Sequence, residues 1–196
     1  MQPLGAAVPR RGNILSRAIG RAILFLLGWR TDGDIPDIPR LVAVAAPHTS
    51  NLDFLVALGF IFARGLRVSW IGKHSLFRWP LGVVMRWLGG VPVMRSTTAG
   101  QVQQIAEHMK AQPKFFLGLS PEGTRERVER WKSGFYHVAQ AAKVPILLFY
   151  LDYGRKVVGT GPLFTPTGDV EADMKAIRAF YRDKTPRFPE RFDSGT

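Results

Sequence analysis

Short apolar runs alternate with amphipathic segments along most of the chain. The runs are LVAVAA (41–46), RVSWIG (67–72), VPVM (91–94), FFLGL (115–119), PILLFYL (145–151) and KVVGT (156–160). Each has the length of a strand, and LVAVAA is apolar at every position, as in a strand buried on both faces. The runs therefore predict the strands of one central sheet.

Helical periodicity fills several of the intervals between these runs. Segments 100–110 and 133–143 each repeat apolar residues at i, i+3 and i+7, and segment 51–63 also reads as a helix. Asp169 is placed to cap a last amphipathic helix. The alternation predicts an α/β fold, with a single domain and a mostly parallel or mixed central sheet flanked by helices.

The segment 13–29, NILSRAIGRAILFLLGW, predicts an amphipathic helix near the N-terminus. Its apolar residues are concentrated in 23–29, after Arg17 and Arg21. That apolar run is far shorter than the roughly 20 residues that span a bilayer. Two interpretations are open, and both can hold: a helix lying in the lipid headgroup region, or a helix packed on the domain with its arginines outward.

Composition changes mainly at the two ends of the chain. Residues 1–12 are rich in Pro, Gly and Arg and are expected to be loose. We therefore predict that 1–30 is a tail followed by a membrane-associating helix. Residues 31–185 are predicted to form the single folded domain, and 186–196 a C-terminal tail.

The chain is strongly basic, with 27 Lys and Arg against 15 Asp and Glu and a formal net charge of +12. Such an excess favours nucleic acid, an anionic membrane surface or phosphorylated substrates as partners. The basic residues are dispersed and form no recognisable nucleic-acid module, so nucleic acid is not predicted. The absence of Cys excludes a Cys nucleophile, and the four His lack metal-ligand spacing, so no metal is predicted.

The stretch PHTSNLDF, residues 47–54, places His48 just after the strand predicted at 41–46. A small polar residue between His48 and Asp53 can cap the next helix, which puts Asp53 in its first turn. The carboxylate can then fold back toward the imidazole, fix its tautomer and leave the other ring nitrogen as a base. A purely structural capping pair is the alternative interpretation.

A second polar stretch, LSPEGTRER at 119–127, follows the apolar run at 115–119. Gly123 lets the backbone approach a ligand closely. Thr124 and Arg125 offer a hydroxyl and a guanidinium that suit a phosphate. The alternative is a capped helix start whose charges are solvated.

These stretches, together and in this order, resemble the PlsC-like lysophospholipid acyltransferase family, which includes glycerol-phosphate and lysophosphatidate acyltransferases. The likeness runs from about residue 41 to residue 150. It rests on four blocks: PHTSNLD at 47–53, GGVPVMR at 89–95, SPEGTRE at 120–126 and VPI at 144–146. Four blocks in the family's order are far more specific than any one of them.

The resemblance implies O-acyl transfer. His48 would take the proton of an acceptor hydroxyl while Asp53 orients the ring, and the oxygen would attack the thioester of acyl-CoA or acyl carrier protein (acyl-ACP). No acyl-enzyme, cofactor or metal is implied. The residues implied in substrate binding are Lys73, near the thioester or a phosphate, and Arg95, Glu122, Gly123, Thr124 and Arg125, around the acceptor.

Two blocks depart from the family pattern. Ser120 stands where the family usually has Phe, Glu126 stands where Ser is usual, and the fourth block lacks its second Pro. Both blocks lie near the acceptor in the family. Lysophosphatidate is therefore the default acceptor, while another lysolipid or a non-phospholipid hydroxyl or amine stays open.

The resemblance and the charge together predict where the protein works. Residues 31–185 would be an acyltransferase domain, attached peripherally to an anionic membrane on its cytoplasmic side. Its partners would be acyl-CoA or acyl-ACP and a lysophospholipid. The alternative of another class is a basic membrane- or nucleic-acid-binding protein without catalysis, which would leave the pairing of His48 with Asp53 unexplained.

Overall fold

The computed structural model describes residues 3–93 and 98–193. The helices in these residues are α1 (Ile14–Leu26), α2 (Asn51–Arg64), α3 (Leu81–Trp87), α4 (Thr98–Ala111), α5 (Gly134–Ala142) and α6 (Val170–Tyr181). The strands are β1 (Arg30–Asp32), β2 (Arg40–Ala46), β3 (Val68–Lys73), β4 (Gly90–Val93), β5 (Phe115–Leu119), β6 (Ile146–Asp152) and β7 (Val157–Phe164). Short 3-10 turns lie at His74–Phe77 and Pro189–Arg191.

The strands form one mixed sheet in the order β1-β7-β6-β2-β5-β3-β4. All neighbours are parallel except β6 and β7, which are antiparallel. In the register, Val42 of β2 lies between Leu117 of β5 and Ile146 of β6. The predicted single-domain α/β fold with a mixed, helix-flanked sheet is therefore confirmed.

Helices cover both faces of the sheet, and β2 shows why its run is apolar throughout. Val42 and Val44 belong to a core with α4, α5 and α6, while Leu41 belongs to a core with α1 and α2. Successive side chains of a strand point to opposite faces, so a strand covered on both sides needs apolar residues at every position. The carboxyl end of β2 is thereby fixed between two cores.

Helix α1 packs on α2 and keeps a second apolar face. Asn13 caps it, since Asn13 Oδ1 accepts from the Ser16 N–H at 3.0 Å. Gly20 lies so close to α2 that a Cβ there would come within 2.3 Å of the Ala63 nitrogen. Phe25, 82% exposed, and its neighbour Leu26 point away from the domain. Helix α1 is therefore packed on the domain, which was the second of the two interpretations, and part of its apolar surface remains exposed.

None of the helices in the described ranges has the length and apolar content that crossing a bilayer requires.

The N-terminal segment differs from expectation, because residues 3–12 are anchored to the domain rather than loose. Val8 is completely buried in the core that includes α1 and α2. The backbone pairs with the turn before β3, since Arg11 N donates to Gly65 O and Arg67 N donates to Pro9 O, both at 2.9 Å. A buried apolar side chain and main-chain hydrogen bonds thus help to hold a segment whose composition is typical of a disordered tail.

Candidate active site

The turn between β2 and α2 brings His48 and Asp53 together. Strand β2 ends at Ala46, and Ser50 caps α2 by accepting from the Leu52 N–H at 3.1 Å. Asp53 is therefore the third residue of the helix, and its carboxylate turns back over the cap. His48 Nδ1 lies 3.3 Å from Asp53 Oδ2. The structure confirms the predicted contact.

The carboxylate of Asp53 is only 2% exposed and is surrounded by donors. Its Oδ2 accepts from the N–H groups of Thr49 and Ser50, each at 2.7 Å. Its Oδ1 accepts from the Tyr153 hydroxyl at 2.5 Å. Burying a carboxylate costs several kcal/mol unless hydrogen bonds compensate it, and three donors supply that compensation here. The acid is therefore fixed in position independently of His48.

Tyr153 follows the end of β6, the parallel neighbour of β2. Carboxyl ends of parallel neighbours meet at one edge of a sheet, which is why a residue 100 positions away reaches Asp53. Burial raises the pKa of Tyr153, and its hydrogen bond to the Asp53 carboxylate raises it further. The phenol stays protonated and donates. Tyr153 was not among the residues predicted for the site, although its place just past a strand end was a usable signal.

The imidazole of His48 is partly exposed to solvent. Its side chain is 24% exposed, and Nε2 has no hydrogen-bond partner among the described residues. A neutral imidazole that carries its proton on Nδ1 has a lone pair on Nε2. With Nδ1 directed at a carboxylate, the ring is suited to act as a general base through Nε2.

Glu122 lies under the His48 backbone. Its Oε1 accepts from the His48 N–H at 2.8 Å, while Oε2 is buried with no partner in the described part of the chain. Burial raises the pKa of Glu122 to about 8; the His48 N–H opposes that shift, and the charge of Asp53 adds to it. The structure thus places this predicted acceptor ligand beneath the loop, where it supports His48.

The structure describes some of the other predicted binding residues fully and others only in part or not at all. Gly123 has φ +65°, and a Cβ there would meet Lys132 Nζ at 2.8 Å, so both the turn and the space favour glycine. Thr124 and Arg125 are exposed in a loop that is not helical, unlike the helix start considered as the alternative. Lys73 ends β3, and its side chain is outside the description. Arg95 lies outside the described residues.

The segment predicted as a C-terminal tail contributes to the site. Arg187 Nη1 donates to Ser50 Oγ at 3.1 Å, and Phe188 N donates to Thr49 Oγ1 at 3.3 Å. Further along, Trp131 Nε1 donates to the Asp193 carbonyl at 3.2 Å. These contacts bring a guanidinium to the turn that carries His48. Sequence spacing gave no signal for Arg187, which is 137 residues from its partner.

The family model described as Acyltransferase matches residues 32–151, a range that includes His48, Asp53 and Glu122. The chain belongs to the acyltransferase family.

A solved structure has the same fold as this acyltransferase. It is the crystal structure of the 1-acyl-sn-glycerophosphate (LPA) acyltransferase PlsC from Thermotoga maritima, with a TM-score of 0.57. The match has 18% sequence identity and covers 88% of this chain and 80% of that chain. No curated protein matches the acyltransferase sequence.

Replacing Tyr153 by Phe removes one donor from Asp53 and leaves the fold intact. We expect kcat to fall about tenfold with KM little changed, because the ring of His48 loses part of its support while the substrate contacts remain. The measurement is steady-state acyl transfer. Tyr150→Phe is the matched control, since Tyr150 donates to Asp32 instead, at 2.6 Å. Equal effects of the two substitutions on kcat would contradict the positioning role.

Glu122→Gln keeps an acceptor for the His48 N–H and removes a group that titrates. Because the folded pKa is raised, wild-type Glu122 binds more protons folded than unfolded between about pH 4.5 and about pH 8. Its contribution to stability is full below that window and is lost as the pH rises through it. Urea titrations across the window should show the Gln variant gaining stability relative to wild type. A difference that does not change with pH would contradict the raised pKa.

Proposed function

We propose that this acyltransferase moves a fatty acyl group from acyl-CoA or acyl-ACP to a hydroxyl of lysophosphatidate, with His48 and Asp53 as the general-base pair. The observation that carries the proposal is the 3.3 Å contact between Nδ1 of the partly exposed His48 and the buried Asp53 carboxylate. A capping aspartate alone would not require a neighbouring imidazole at that distance.

The proposed step is a direct transfer between acceptor and thioester. His48 Nε2 accepts the hydroxyl proton as the acceptor oxygen attacks the thioester carbon. The new C–O bond forms, the C–S bond breaks, and the leaving thiolate takes the proton from the imidazolium. Asp53 stabilises the imidazolium while it exists. General-base catalysis of this kind contributes about 10²–10⁴-fold.

Cationic groups near the turn support a phosphate-bearing acceptor. Arg187 is held beside the turn by its bond to Ser50, and Arg125 is exposed three residues after Glu122. Guanidinium groups bind phosphate oxygens in a bidentate manner. The PlsC protein of the same fold is named as an LPA acyltransferase, which agrees with lysophosphatidate as the default acceptor. Other lysolipids and non-phospholipid hydroxyls or amines are distinguished by the acceptor assay below.

Incubating purified protein with labelled acyl-CoA or acyl-ACP and a panel of acceptors, followed by mass spectrometry of the products, tests the proposal. Thiol release should depend on a lysolipid, and phosphatidate should be the main product. His48→Ala should lower turnover about 10²–10⁴-fold. His137→Gln, another histidine variant, should leave turnover unchanged. Wild-type turnover in His48→Ala would contradict the base assignment, and product from a different acceptor would replace lysophosphatidate.

We also propose that the protein sits peripherally on the cytoplasmic side of an anionic membrane. The support is apolar surface left uncovered on α1, on α3 and on the residues just before α3. On α1 it comprises Ile14, Leu15, Phe25 and Leu26; around α3 it comprises Trp79, 86% exposed, with Val83, Val84 and Trp87. Exposed aromatic and aliphatic side chains on a basic protein are typical of surfaces that enter the headgroup region.

Cosedimentation with vesicles tests this attachment. The double variant Phe25→Glu with Leu26→Glu should bind anionic vesicles several-fold more weakly, because it places two charges where apolar side chains would enter the lipid. Leu163→Glu, a control on the exposed part of β7, should bind like wild type. Raised salt should weaken wild-type binding. Unchanged binding by the double variant would contradict the assignment of α1 to the membrane.

A further inference from the structure

A basic cavity lies at the edge of the sheet opposite His48. Its volume is about 600 Å³, and it is lined by the first residues of β4 and β5, by the turn before β3 and by residues 9–11. His48 instead follows the carboxyl end of β2, which is parallel to β5. Because β5 has five residues, at about 3.3 Å each, the two edges are roughly 16 Å apart. The cavity is therefore separate from the candidate active site.

The lining of this cavity is cationic. Its basic residues are Arg10, Arg11, Arg67, Arg86 and Lys114, with His108 beside them. The lining residues that the structure describes include no Asp or Glu. Within residues 3–93 and 98–193, none of the five Arg and Lys side chains forms an ion pair with a carboxylate. Among these described residues, no carboxylate therefore pairs with the charge of the cavity.

The N-terminal segment is folded in a way that adds charge to the cavity. Arg11 lies over the Trp87 ring, 4.6 Å from its centroid. Burial lowers the pKa of Arg11, and the nearby charge of Arg67 lowers it further, so the two guanidiniums repel each other. Lys114 Nζ donates to Ala6 O at 2.6 Å, which ties another cation to the same segment. An anion between these groups would relieve the repulsion.

We propose that this cavity binds a ligand through its phosphate groups, separately from the transfer of the acyl chain. The guanidiniums of Arg11 and Arg67, which are close enough to repel each other in a cavity lined without carboxylates, match the charge of phosphate oxygens. The exposed Trp87 and the partly buried Phe115 supply apolar surface for the organic part of the ligand. A soluble nucleotide phosphate and the headgroup of an anionic phospholipid share this chemistry. The proposal stands whether or not lysophosphatidate is the acceptor.

Calorimetric titration of the 196-residue protein with pyrophosphate and with ADP tests whether the ligand is a soluble phosphate compound. The double variant Arg11→Gln with Arg67→Gln should bind at least about tenfold more weakly than wild type, since each guanidinium–phosphate bond is charge-assisted. The control is Lys175→Gln with Arg182→Gln, which removes the same charge outside the cavity. It should bind like wild type. Equal weakening in both variants would show non-specific attraction and overturn the site.

Flotation with phosphatidylcholine vesicles, with and without phosphatidate, tests the lipid source. The cavity variant is the double variant Arg11→Gln with Arg67→Gln. If pyrophosphate and ADP do not bind, and the cavity variant alone loses the flotation that depends on phosphatidate, the result supports the lipid headgroup as the ligand. The proposal is overturned if wild type binds none of the probes. It is also overturned if wild type, the cavity variant and the control variant bind them equally.

Thermal melting shows whether weaker binding by the cavity variant results from misfolding. Without ligand, the cavity variant should melt no lower than wild type, because the substitutions remove repulsion. Pyrophosphate, at constant ionic strength, should raise the melting temperature of wild type and of the control only. A pyrophosphate-dependent rise of the same size in the cavity variant would place the anion elsewhere and overturn the proposal.

Discussion

The site depends on the buried carboxylate of Asp53. Two N–H groups of the turn before it and the hydroxyl of Tyr153 hold the two carboxylate oxygens in place. The ring of His48 therefore meets an acid that cannot rotate away, 3.3 Å from Nδ1. A base oriented before the substrate arrives needs little reorganisation during the reaction, which is the advantage of a preorganised site. The sheet contributes directly, because Tyr153 arrives only through the parallel pairing of β6 with β2.

The second buried acid, Glu122, has a different environment from Asp53. It has one donor, the His48 N–H, where Asp53 has three, and burial raises the pKa of Glu122 to about 8. The two carboxyl groups near one histidine thus differ in environment: Asp53 is held by three donors, while burial keeps Glu122 largely neutral near neutral pH. The neutral group holds the His48 backbone without adding a second buried charge.

The local parts of this arrangement could be predicted from the sequence, and the long-range parts could not. The spacing from His48 to Asp53 lies within one strand–turn–helix unit, so capping chemistry alone predicts the contact. Tyr153 lies 100 residues from Asp53, and Arg187 lies 137 residues from Ser50. Their positions depend on the sheet order and on the path of the C-terminal segment. Strand β1 has three residues and no apolar run, so its pairing with β7 left no periodic signal.

The tautomer of His48 is the most direct test of the central claim. Long-range ¹H–¹⁵N correlation spectra, recorded where the ring is neutral and assigned with His48→Gln, report which nitrogen carries the proton. The contact with Asp53 predicts a proton on Nδ1 in wild type, and a weaker preference in Asp53→Asn. A wild-type ring protonated on Nε2 would show that Asp53 does not orient the base.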